Sequence, residues 1–70
     1  MLNFELDKTL DGLTIFLDKE GIDELVRYLE YIKKEKDRMH LTVGNELSEE
    51  IIVQDMSIIN QVTLRYLDEE

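Results

Sequence analysis

At Asp18 the hydrophobic period of this chain changes, and that change narrows the folds open to it. Before it, Leu2, Phe4 and Leu6 alternate with Asn3, Glu5 and Asp7. Leu13, Ile15 and Leu17 then alternate with Thr14, Phe16 and Asp18. A period of two marks a half-buried strand. Between the runs lies "DKTLDG", whose Asp11-Gly12 is a turn signal, so the pair reads as an antiparallel hairpin. After Asp18, residues Ile22, Leu25, Val26, Leu29 and Ile32 fall at helical spacing and form one apolar stripe. Asp18, Glu20, Asp23 and Glu24 crowd its start; Lys33, Lys34, Lys36 and Arg38 crowd its end. Both placements suit the helix dipole. A helix is expected over about residues 20–37, uninterrupted by proline.

Beyond the helix the period returns to two. Met39, Leu41 and Val43 oppose His40 and Thr42, which predicts a third strand. Gly44-Asn45 ends it, because both residues tolerate positive φ. In "ELSEEIIVQDM", residues 46–56, Ile51-Ile52-Val53 reads either as a short strand or as a helical turn. A last strand runs from Ile58 to Leu67, with Ile58, Val62, Leu64 and Tyr66 on one parity and Ile59, Gln61, Thr63, Arg65 and Leu67 on the other. The expected fold is α+β: a small antiparallel sheet of four or five strands, order β-β-α-β-(β)-β, with the helix on one face. Residues 1–70 would form a single domain. One helix covers one face of such a sheet, and the other can meet water. That open face would carry Asn3, Glu5, Thr14, Phe16, His40, Thr42, Gln61, Thr63 and Arg65.

Size and charge then exclude several functions. A chain of 70 residues builds a small core, rarely contributing more than about 3–5 kcal/mol. It contains no cysteine, so disulfides, thiolate chemistry and cysteine-ligated metals are absent. No apolar run nears the roughly 18 residues of a membrane span. The N-terminus lacks the basic-then-apolar pattern of a signal peptide. The chain reads as complete and cytoplasmic. Seventeen acids oppose eight bases, a net of −9. Residues 1–38 hold ten acids and seven bases, whereas residues 39–70 hold seven acids and only Arg65. Nucleic acid and anionic membranes repel such a chain, while a basic protein is drawn to it. Acidity also keeps a small domain soluble, whatever its partners.

Three groups of residues are candidates for a site. His40 is the one histidine, but the chain has no cysteine and no serine in a strained glycine elbow, and a zinc site would need carboxylate ligands. It reads as a structural or contact residue of the open sheet face, or as a hot spot for a partner. Glu46, Glu49 and Glu50, with Asp55, follow the Gly-Asn turn without the spacing of a calcium loop. They form a solvated loop or a surface for a basic partner. Tyr28 flanks the apolar stripe and Tyr31 lies nearly opposite it, with Glu24 and Glu35 beside them. Tyrosine is enriched at binding hot spots because it is large, stiff and amphipathic; alternatively Tyr28 only covers the stripe's edge. No catalytic residue, metal or cofactor is expected.

"DKEGIDELVRYLEYI", then "MHLTVGNELSEE", then "IINQVTLRYL" together resemble immunity protein family 32 of bacterial polymorphic toxin systems. The resemblance runs from about Leu13 to Leu67 and rests on Gly21, Leu25, Leu29, His40, Leu41, Glu46 and Leu47. The chain departs from that pattern in two places. It has only "TVGN" where the family usually has a longer stretch with a Trp-Gly, and one histidine where two are common. The resemblance implies a bacterial protein that binds and neutralises a toxin, without chemistry of its own. The contact surface would be Glu24, Tyr28, Tyr31 and Glu35, or the loop from Glu46 to Glu50, facing a basic toxin domain. The other reading is a structural or regulatory interaction module, which could form a homodimer through an edge strand or the face carrying Phe16 and His40.

Overall fold

The computed structural model of the chain describes residues 1–50 and 52–68. Its elements are β1 (Leu2–Leu6), β2 (Leu13–Leu17), α1 (Lys19–Glu35), β3 (Arg38–Thr42), β4 (Ser57–Ile58) and β5 (Gln61–Arg65). The α+β class is as expected, with five antiparallel strands and one helix among the described residues. The strands, however, make two sheets, ordered β2-β1-β4 and β3-β5. The division arises in the segment read as one long last strand. Ile58 pairs with Glu5, and the Ile59 N–H donates to the Phe4 carbonyl at 2.9 Å. The Asn60 carbonyl then accepts from the Val43 N–H at 3.0 Å, and Gln61–Arg65 continues along β3. One bent segment thus pairs with a strand of each sheet. Ile52 and Val53 lie in a bend rather than in a strand or helical turn. Ile51 is outside the described residues.

The largest departure from the sequence reading concerns β1. Asn3 and Glu5 were expected on the open face, yet both are 0% exposed. The segment after Leu47 folds over them. Glu5 Oε2 accepts from the Ile52 N–H at 2.8 Å, and Oε1 accepts from the Val53 N–H at 3.2 Å. Asn3 Nδ2 donates to Glu5 Oε2 at 2.8 Å and to the Glu50 carbonyl at 2.6 Å. A buried carboxylate is tolerated when donors replace its lost water. On the other face, Leu2 and Phe4 join Leu41 and Leu47 in the core, with Leu25, Tyr28, Met39, Val43, Ile59, Val62 and Leu64 packed around them. β1 is therefore enclosed on both faces and paired along both edges.

The helix starts as its sequence demands. Asp18 is the N-cap, its Oδ1 accepting from the Gly21 N–H at 2.8 Å and also contacting the Met1 ammonium. A Cβ on Gly21 would overlap the Met1 carbonyl, so glycine lets the first turn rest on the backbone entering β1. Seating the helix there turns Gly21, Leu25, Tyr28 and Ile32 toward the interior. The expected stripe is consequently only half used. Ile22, Val26 and Leu29 remain 50%, 47% and 49% exposed, roughly 100° around the helix from the inward line. Lys36 ends the helix earlier than expected by taking φ 53°, its N–H donating to the Ile32 carbonyl at 2.8 Å.

Glu5→Ala leaves two backbone N–H groups and one N–H of the Asn3 amide without an acceptor, and we expect a loss of about 2–4 kcal/mol by urea unfolding, with Glu5→Gln losing less. Lys36→Gly relieves a left-handed backbone conformation that favours glycine, and we expect a gain of about 0.5–1 kcal/mol in the same measurement.

Candidate functional site

One flank of α1 gathers four of the expected residues. Glu24, Tyr28, Tyr31 and Glu35 are spaced by four, three and four residues, so a regular helix stacks them on one side. Tyr28 is half-buried and packs its ring against the core, while Tyr31 is 45% exposed and Glu35 is exposed. The Tyr28 hydroxyl approaches Glu24 Oε2 at 3.4 Å. Burial raises the Tyr28 phenol above its usual range; the charge of Glu24 adds to this, and that of Glu46 contributes further.

Glu46 reaches this flank because of how the turn after β3 closes. Gly44 takes φ 88° there. The Asn45 and Leu47 N–H groups both donate to the Thr42 carbonyl at 3.1 Å. Asn45 Nδ2 donates to Thr42 Oγ1 at 2.7 Å, and Glu46 Oε1 accepts from the Thr42 N–H at 3.0 Å. These bonds plant Leu47 in the core and hold Glu46 half-buried. Glu46 is thus a turn-forming residue as well as a charge beside Tyr28. Glu49 and Glu50 are exposed, but Glu50 anchors the fold through its main chain, its carbonyl accepting from Asn3.

His40 stands apart from this group. Leu41 points into the core with Tyr28, so its neighbour His40 faces the other side of β3. There Gln61 Nε2 donates to His40 Nδ1 at 3.2 Å, and the Thr63 hydroxyl lies 2.9 Å from the same nitrogen. These are cross-strand contacts of a polar sheet face, and His40, Gln61, Thr63 and Arg65 are exposed there as the sequence led one to expect. Phe16 belongs to the other sheet, so Phe16 and His40 do not share one sheet face.

The sequence reading missed a basic cleft. Arg38 and Arg65 are direct partners across β3 and β5. With Lys36, Asp37 and Tyr66 they line an open cleft of about 260 Å³. Only strand register could reveal it, since Arg38 and Arg65 are far apart in sequence. Among the described residues no cluster of three or more His, Asp or Glu is placed to hold a metal ion. Nor is any helix among them long and apolar enough to cross a membrane.

The Tyr28 environment makes a titration test. A raised phenol favours the neutral form in the folded state, so its stabilising contribution is full below the ordinary value of 10.0 and is lost as pH rises through the higher native value. We expect ultraviolet titration to show one tyrosine ionising above the ordinary range. Glu24→Gln should move that transition partway back, because burial persists.

Comparisons with protein-family models, with curated proteins and with solved structures find no match to this chain.

Proposed function

We propose that the protein is a non-catalytic binding protein of the immunity kind, which neutralises a bacterial toxin by covering its working surface. The observation that carries this reading is the shared flank of α1: Glu24, Tyr28, Tyr31 and Glu35 in one row, with Glu46 beside Tyr28. Tyrosine supplies contact area at small entropic cost, and surrounding carboxylates select a basic partner. The net charge of −9 adds long-range steering toward the same class of partner. The resemblance to immunity protein family 32 supports the same reading. The partner is a basic toxin domain, met in the bacterial cytoplasm, and no cofactor, nucleic acid or membrane takes part. His40, Glu49 and Glu50 are outer contacts at most in this arrangement.

A second reading, a structural or regulatory module, is favoured by the uncovered apolar flank on the opposite side of α1. The test of the first reading is affinity capture from the native cells at low and high salt, with partners identified by mass. We expect a stoichiometric basic toxin domain, released by salt. The double substitution Glu24→Lys with Glu35→Lys should weaken capture at least tenfold while leaving the circular dichroism spectrum unchanged. Undiminished capture by that variant would place the contact elsewhere.

A further inference from the structure

We infer that two copies of this chain associate through β2 and the adjoining flank of α1. β2 is the outer strand of its sheet, with β1 on one side and, among the described residues, no strand on the other. The bonds flanking the β1–β2 ladder fix which groups are free. Asp7 N–H donates to the Gly12 carbonyl at 3.0 Å, and Asp18 N–H to the Met1 carbonyl at 3.1 Å. Antiparallel ladders alternate, so Thr14 and Phe16 bond to β1, while the N–H and C=O of Leu13, Ile15 and Leu17 point to the open edge. Natural edges are normally protected by lysine, proline or a bulge. This strand, "LTIFL", has none of these, and its register with β1 is unbroken.

The side chains agree with the backbone. Leu13, Ile15 and Leu17 pair with Leu6, Phe4 and Leu2, so they lie on the face that α1 covers. They remain 54%, 39% and 38% exposed. The Glu24–Tyr28 flank of α1 lies beside the turn after β3; the opposite flank, Ile22, Val26 and Leu29, therefore lies toward β2. Together these six side chains expose on the order of 500 Å² of apolar surface, at the upper end for a monomer. With the free backbone edge added, this approaches the roughly 800 Å² per partner of a stable interface.

A second copy fits because the strand is self-complementary. A two-fold axis through Ile15 pairs Ile15 with its own counterpart, Leu13 with the second copy's Leu17, and Thr14 with the second copy's Phe16. The outward N–H and C=O groups of Leu13, Ile15 and Leu17 then fall in hydrogen-bonded register. Leu13, Ile15 and Leu17 of both copies share one face, and no charges oppose each other within the strand. The result is a six-stranded sheet, β4-β1-β2 continued by its two-fold mate, with the apolar flanks of two helices meeting above it. Asp11 and Asp18 flank the strand, and each copy carries −9, so salt should strengthen this contact. Salt weakens the toxin contact proposed above, which lies on the other flank, so the two ideas stand or fall separately.

Sedimentation equilibrium of the full chain, from micromolar to millimolar concentration, tests the inference. We expect a limiting mass twice 8.3 kDa, reached at lower concentration in higher salt. Ile15→Lys and Val26→Lys should each return the mass to 8.3 kDa with unchanged circular dichroism. Should Ile15→Lys unfold the chain, Val26→Lys decides alone, since it changes an exposed helix position. A monomer throughout, including one captured by a different protein over these residues, would overturn the inference. So would a dimer that survives Val26→Lys.

Discussion

The fold depends on a carboxylate enclosed beneath a loop. Burying Glu5 costs several kcal/mol of lost hydration, which its three donors offset. Two of those donors are backbone N–H groups of Ile52 and Val53. The contact therefore closes an otherwise irregular segment over β1 and brings β4 to its edge. Without that closure the face of β1 that carries Asn3 and Glu5 would be left uncovered. The carboxylate also selects one arrangement, because a shift of the loop would leave both N–H groups without an acceptor and Glu5 Oε1 without a donor.

Enclosure of β1 has a consequence for α1. With one face of the strand closed by the loop, the helix takes the other, and Gly21 sets how closely it sits. The interior is then filled by few side chains. Among the described residues five apolar residues are buried, whereas twelve large ones are exposed. The radius of gyration, 12.9 Å against about 11 Å for a compact chain of this length, reflects the same openness. A small core and a large apolar remainder are two sides of one geometry: two sheets share a single helix, which cannot cover both completely.

α1 therefore presents two flanks of opposite chemistry. One is a row of tyrosine and carboxylate beside the turn that follows β3. The other is aliphatic and continues onto an unpaired strand edge. Charge-driven and apolar contacts respond oppositely to salt when the partners have like charge in one case and unlike charge in the other. A small domain can thus carry two separable contacts without any side chain serving both.

Local order was legible in the sequence because it is written at local spacing. The period of two located β1 and β2, the change of period at Asp18 located α1, and parity placed His40, Thr63 and Arg65 on an exposed face. The row Glu24, Tyr28, Tyr31 and Glu35 was legible for the same reason. Parity also put Asn3 and Glu5 on a face, but it could not say what lies above that face; the answer came from Ile52, 47 residues away. The break at Ile59-Asn60 likewise depends on two strands that the sequence does not show to be in different sheets. The helical stripe revealed which residues are apolar, while the close seating at Gly21 decided which of them turn inward. Periodicity fixes the side of an element on which a residue lies; only contacts between distant segments decide whether that side is covered.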